Sequence, residues 1–361
     1  MSTLYINGKF VAQRMTGVQR AASCLVAALD RLLPAGAQVV LLFPAGHAAP
    51  ALRNIEVREI GRAGQSLIAW EQFALPLAAR DGRLLNLAGS APLLAHRVTA
   101  LIHDAAVFDR PEAYTPLFRR WYRFLFRRLA RRGAQLLTVS AFSRGRLASA
   151  LGIDAACIGV VPHGSDHLSA TPVDGRILQR HGLESTPYLL AVASANPTKN
   201  LAALVAAFGR QPDAGATRLV IVGGSNERVF SGTTVEGDPP GVMRTGPVTD
   251  GELKALYEHA TALMFPSTYE GFGLPPLEAM ACGTPVLAYR IPPLVEALGD
   301  AAALVPHGDD AGLRAALRAL VLDSDERDAR IAAGRRCADR YTWAATAEAT
   351  ADVYRGLGLA C

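Results

Sequence analysis

Half of the 361 residues are hydrophobic and 19% are charged, the composition of an ordinary globular protein with ample material for burial. At roughly 100 to 200 residues per domain, this length points to two domains. A formal net charge of +5 suits a protein that handles phosphates or touches an anionic surface, and it is too mild to argue for a nucleic-acid partner.

Short runs rich in Val, Ile and Leu alternate with longer helix-like segments, the pattern of strands buried on both faces of a parallel sheet. The predicted strands are Leu4 to Ile6, Gln38 to Phe43, Leu84 to Leu87, Val98 to Ile102, Gln135 to Val139 and Ile158 to Val161. A Pro- and Gly-bearing stretch from Pro162 to Pro187 follows. The alternation then restarts with Tyr188 to Val192, Arg218 to Val222, Ala262 to Phe265, Pro285 to Ala288 and Ala302 to Val305. Two doubly wound α/β sheets are the economical reading. The last predicted helix covers Ala344 to Leu357, with Thr342 as a plausible N-cap. In such sheets ligands collect at the carboxyl ends of the strands, so the polar residues just after them carry the functional information.

The five cysteines are scattered singly, with no C-x-x-C pair and no zinc spacing, and read as free thiols of a reducing compartment. No basic segment precedes an apolar stretch at the start, and no window reaches the roughly 18 apolar residues of a spanning helix. A soluble, cytoplasmic protein is expected. Only Lys9, Lys199 and Lys254 are lysines, which makes the placement of each informative.

The most telling segment runs from Tyr269 to Val286, Y-E-G-F-G-L-P-P-L-E-A-M-A-C-G-T-P-V, directly after a predicted strand. Gly271 and Gly273 allow close backbone approach to a ligand, Pro276 suits a first helical turn and Gly283 a C-cap. Glu270 and Glu278 then bring two carboxylates and helix N-terminal amides to one spot, a combination that suits sugar hydroxyls and phosphate. This string resembles the E-x7-E signature of the family-4 retaining glycosyltransferases, which share the GT-B fold. The resemblance implies that Glu270 contacts the donor sugar, that Glu278 holds the nucleotide ribose, and that the amides of Gly271, Phe272, Gly273 and Leu274 help bind sugar and diphosphate.

Further segments resemble the same family in the same order. Thr16 to Arg20 looks like its first-domain glycine loop, with Gly17 giving the diphosphate room and Arg20 a further phosphate contact. Ile102-His103-Asp104 looks like its His-Asp pair, with His103 facing the reacting centre. Val161 to Asp166 is similar to its V-P-N-G-V-D turn, with His163 where asparagine is usual, and reads as mainly structural. Ala191 to Asn200 corresponds to its phosphate-binding loop. Lys199 is retained there, but the usual arginine is absent, since Ala193, Ser194 and Thr198 stand where it is expected. Gly246 to Asp250, including Val248, resembles the loop beside the nucleotide base.

The resemblance therefore implies two Rossmann-like domains facing a cleft, residues 1–168 with helix 344–361 crossing back, and residues 186–343. It implies a retaining hexosyltransferase that moves a hexose or deoxyhexose from a nucleoside-diphosphate sugar to a lipid-linked or polysaccharide acceptor in surface-glycan synthesis. GDP-linked mannose or rhamnose is the favoured donor. His103, Lys199 and Glu270 would be catalytic, with no metal and no cofactor beyond the co-substrate. An epimerase on the same fold and a non-catalytic regulatory subunit stay open, the missing arginine supporting the latter. The D-x-D triplet Asp323-Ser324-Asp325 lies between two helix-like segments and reads as solvated.

Leu117 to Arg132 is the most charged stretch. At about 100° per residue, Phe118, Trp121, Tyr122, Leu125, Phe126 and Leu129 share one face, and Arg119, Arg120, Arg123, Arg127 and Arg131 the other. Two readings stay open: a helix packed on the first sheet with solvated arginines, or a surface leaning on anionic lipid headgroups at the inner face of the plasma membrane.

Overall fold

The computed structural model describes residues 3–209, 217–223, 237–322 and 324–356. They form two compact units, each around one sheet. The first unit comprises Met1–Phe108, Arg120–Gly164 and Thr342–Cys361, and the second Asp109–Arg119 and Ser165–Tyr341.

The first sheet contains β1 (Leu4–Asn7), β2 (Val39–Pro44), β3 (Glu56–Ile60), β4 (Arg83–Asn86), β5 (Val98–Leu101), β6 (Gln135–Thr138) and β7 (Ile158–Val160). Its order is β3-β2-β1-β4-β5-β6-β7, all pairs parallel. The second contains β8 (Tyr188–Val192), β9 (Arg218–Val222), β10 (Val242–Gly246), β11 (Ala262–Phe265), β12 (Val286–Tyr289) and β13 (Ala303–Val305). Its order is β10-β9-β8-β11-β12-β13, again parallel throughout. In each sheet the winding direction reverses once, between β1 and β4 and between β8 and β11, and a reversal of this kind opens a crevice at the strand carboxyl ends.

The connecting helices in the first part of the chain are α1 (Gly17–Leu32), α2 (Leu67–Ala69), α3 (Leu75–Ala78), α4 (Ala106–Asp109), α5 (Pro116–Arg131) and α6 (Ala141–Leu151). A π turn, Trp70–Ala74, joins α2 to α3, with Leu75 N–H bonded to Trp70 O. Trp70 and Leu75 point inward and pack with Tyr5, Val40, Leu42 and Leu84 in the core. The later helices are α7 (Arg176–His181), α8 (Leu201–Gly209), α9 (Asp250–His259), α10 (Leu274–Ala281), α11 (Pro292–Leu298), α12 (Asp310–Leu322), α13 (Ser324–Ala338) and α14 (Trp343–Gly356). Thr342 caps α14 through its hydroxyl to Ala345 N–H at 3.2 Å, and α14 packs on α1 within the first unit. No helix among the described residues is long and apolar enough to cross a membrane.

Eleven predicted strands match observed ones to within a residue or two at each end. The two that the apolar pattern misses, β3 and β10, each lie at one edge of their sheet and carry only exposed or half-buried residues. Unit boundaries also differ from the expected ones. Residues 165–185 belong to the second unit, and so does Asp109–Arg119, where the Tyr269 hydroxyl donates to Asp109 Oδ2 at 2.8 Å. Asp323 of the D-x-D triplet and residues 357–361 of the expected last helix lie outside the described residues, and Asp325 sits in the first turn of α13.

The chain leaves the first unit at Gly164 and re-enters it at Thr342. Gly164 lies so close to the returning backbone that a Cβ would stand 2.2 Å from Trp343 N and 2.6 Å from Thr342 C. Backbone cannot yield as a flexible side chain can, so Gly164→Ala is expected to destabilise the fold by about 1–3 kcal/mol, measured as a lowered denaturant midpoint. An unchanged midpoint would contradict this packing.

Candidate functional site

In the second unit, Lys199 and Glu270 meet at the switch point of the sheet. Asn196 caps the short turn Pro197–Lys199 by accepting from Thr198 N–H at 2.9 Å, and Asn200 takes a left-handed conformation, φ 55°, before α8 begins. The loop after β11 is pinned to this turn, with Thr268 N–H and Oγ1–H both donating to Thr198 O at 2.8 and 3.2 Å. The pinning carries Glu270 to Lys199, and Nζ donates to Oε1 at 2.6 Å. Lys199 Nζ also stands 5.5 Å from the centre of the Phe265 ring. The two side chains are 19% and 12% exposed, so solvent still reaches them. Ser267, two residues beyond β11, is buried, and its hydroxyl has no hydrogen-bond partner.

The loop that follows is fixed by Gly273. Its φ of 110° excludes a side chain, and a Cβ there would stand 2.5 Å from Leu294 Cδ2. Phe272 and Leu274 are buried, Phe272 edge-on to Tyr341 at 5.4 Å, so only their backbones are available to a ligand. Pro275 and Pro276 contribute no N–H, and the amide donors at this end of α10 are therefore those of residues 271–274. Glu278 is buried one turn into α10. Its Oε2 accepts from the Tyr257 hydroxyl at 2.9 Å, and its Oε1 lies 3.2 Å from His167 Nε2. Val248 is half-buried just ahead of α9, whose start is held by a capping box between Thr249 and Glu252.

A pocket of about 350 Å³ opens beside this loop, lined by Asn200, Leu204, Phe265, Leu287, Tyr289 and His307 among others. Phe265 is its link to Lys199.

In the first unit, His103 follows β5. His103 Nε2 lies 2.9 Å from Leu87 O, which is an acceptor only, so this nitrogen carries the proton. Nδ1 then accepts from His163 Nε2–H at 3.1 Å, and the His163 ring packs in turn on Trp343 at 5.6 Å between centroids. Burial lowers the pKa of both imidazoles, that of His163 strongly, with the neighbouring His103 adding to the effect. Both are neutral at pH 7. Asp104 accepts from Ala106 N–H at 2.8 Å, and Gly17 opens α1 with empty space where a Cβ would stand. Arg20 lies in the first turn of the same helix.

Sequence reasoning missed a polar cluster at the switch point of the first sheet. Lys9 Nζ donates to Glu71 Oε2 at 2.7 Å and to Ser90 Oγ at 3.3 Å, Ser90 donates to Glu71 Oε1 at 2.6 Å, and Asn7 Nδ2 bridges Glu71 and Asn86. All five are buried. The scarcity of lysine was the available signal, since Lys9 follows the first strand as Lys199 follows β8.

A family model described as glycosyl transferases group 1 matches residues 175–336. The O-antigen chain mannosyltransferase B of Escherichia coli is 31% identical over 268 residues, 72% of this chain and 70% of that protein. The MMP alpha-(1->4)-mannosyltransferase of Mycolicibacterium hassiacum is 33% identical over 252 residues, 66% of this chain and 58% of that protein. The solved structure of Anabaena Alr3699/HepE with UDP and glucose superposes with a TM-score of 0.74 at 15% identity, covering 99% of this chain and 100% of that one. WaaG, a glycosyltransferase involved in lipopolysaccharide biosynthesis, superposes with a TM-score of 0.70 at 17% identity over 97% and 99% of the two chains. The fold is thus GT-B, and this chain belongs to the glycosyl transferases group 1 family: it is a glycosyltransferase.

Proposed function

We propose that the protein transfers a sugar, mannose first and rhamnose second, from a nucleoside-diphosphate donor to a lipid-linked or polysaccharide acceptor in surface-glycan synthesis, with retention and without a metal. The observation that carries the reading is the Lys199–Glu270 pair at the switch point of the second sheet, one cation and one carboxylate held by tethered loops. The mannosyl relatives support the sugar. In transfer, the bond between the anomeric carbon and the diphosphate oxygen breaks, the acceptor oxygen bonds that carbon on the same face, and its proton goes to the departing phosphate. Lys199 and the amides of Gly271, Phe272, Gly273 and Leu274 stabilise the charge that develops on the diphosphate. The Ser267 hydroxyl is a further donor of the right kind. Glu270 takes sugar hydroxyls, Glu278 the ribose, and the loop at Val248 flanks the base. In the first unit Gly17, Arg20, His103 and Asp104 are proposed donor contacts, with His103 acting as a neutral imidazole.

A panel of GDP, UDP and dTDP sugars, assayed with and without acceptor, tests the reading. Transfer from a GDP-hexose is expected. Turnover without acceptor would show an epimerase, and no binding to any donor would remove the transferase role.

Lys199→Met and Glu270→Gln each leave the other group without its partner in a mostly buried setting, and each is expected to lower stability by about 1–3 kcal/mol. The double variant should regain part of that loss. Transfer should fall by roughly 100- to 1000-fold in all three, and recovery of activity in the double variant would show the pair to be structural only.

The lowered histidine values set a pH dependence. The folded state resists protons that the unfolded chain takes up, so this stability is fully present above the unfolded histidine value of about 6.5 and is lost as pH falls below it. Thermal melts across that range should show the decline, and His163→Asn, which keeps an N–H donor that does not titrate, should flatten it. An unaltered slope would place the titration elsewhere.

A further inference from the structure

The first unit exposes several large apolar side chains. Ile68, Phe73, Leu77 and Leu94 are each more than half exposed, and so is Phe124 on α5. Backbone geometry groups the first four. The π turn closes an i to i+5 bond, which brings Ile68 about one turn from Phe73, and Leu77 follows one α turn later, so the three form one outward stripe while Trp70, Glu71 and Leu75 point in. Gln72 anchors the neighbouring loop, donating to Ala91 O at 3.3 Å and accepting from Leu93 N–H at 2.9 Å, which sets Leu94 beside the stripe. The Arg132 guanidinium donates to Leu93 O and ties in the end of α5.

That helix carries the charge. A groove of about 430 Å³ is lined by Arg120, Arg123, Phe124, Arg127, Arg128 and Arg131, with no carboxylate among them. Arg119 and Arg123 are committed elsewhere: Arg119 donates to Pro111 O, and Arg123 to Val107 O and Phe108 O at 2.6 and 3.2 Å. The charged edge therefore differs from the face read from periodicity alone, and consists of Arg120, Arg127, Arg128 and Arg131 around Phe124.

We propose that this surface docks on an anionic lipid bilayer, the arginines among the headgroups and Ile68, Phe73, Leu77, Leu94 and Phe124 in the interfacial layer beneath. Soluble proteins rarely group this much exposed apolar surface without a partner. A second copy of the chain would set arginine against arginine. An RNA would satisfy the arginines and leave the apolar stripe unexplained. A bilayer interface offers anionic charge and an apolar layer within a few ångströms of each other. The inference stands on this surface and does not require the donor or site assignments above, although a lipid-linked acceptor would be met there.

Co-sedimentation of the full chain with vesicles of phosphatidylcholine alone, or mixed with phosphatidylglycerol, tests it. Binding should be at least about tenfold stronger to the mixed vesicles, since each arginine in the surface potential contributes roughly a fivefold change in partitioning. Arg127→Gln/Arg131→Gln should lose about tenfold or more of it. Phe73→Ser/Leu77→Ser should bind at low salt and be released at high salt, where the wild type stays bound. Circular-dichroism melts confirm that both variants fold. Equal binding to both vesicle types, or wild-type binding by both variants, overturns the proposal. So does a dimer that dissociates in Phe73→Ser/Leu77→Ser while vesicle binding is unchanged.

Discussion

A parallel strand covered on both faces can keep a polar side chain only at its ends. Two such sheets make up this protein, and the candidate site residues gather at or just past strand carboxyl ends. The reversal of winding decides which ends matter, because there the two flanking loops diverge and leave a crevice. Lys199 and Glu270 occupy that position in the second unit, and Lys9, Asn7, Asn86 and Ser90 occupy it in the first. In a chain with three lysines, two stand at these points, each against a glutamate.

The interior strands were legible because burial on both faces leaves a continuous apolar run, as in Val39–Pro44. Glu56–Ile60 and Val242–Gly246 were not, since these two edge strands bury no residue fully and so write no such run. The candidate site divides the same way. Gly273, Lys199 and Glu270 stand out by residue type and spacing, yet the tether between Thr198 and Thr268 that makes them one site joins segments 70 residues apart and leaves no local mark. Glu71 was invisible for another reason: its position depends on a π turn, and a period of 3.6 cannot register a turn that closes one residue late.

Some departures from the resembling family acquire a physical setting. The usual arginine is absent and the two prolines opening α10 supply no N–H, so few cationic and amide donors stand at this end of the sheet. What is left is concentrated in Lys199, the loop 271–274 and the buried hydroxyl of Ser267. His163, where asparagine is usual in that family, holds the tautomer of His103 through one ring nitrogen, a task an amide N–H also performs, which explains how either residue can stand there.

The pairing of Lys199 with Glu270 bears on selectivity. An ammonium already facing a carboxylate at 2.6 Å presents almost no net field to the solution, so it does not draw in every passing anion. Under the proposed roles, a ligand would exchange one partner for another on both groups at once, offering negative charge to the lysine and hydroxyls to the glutamate. Inorganic phosphate brings only the first and a free sugar only the second. A molecule that joins the two would satisfy both ends, so under the proposed roles the closed pair would select for that union.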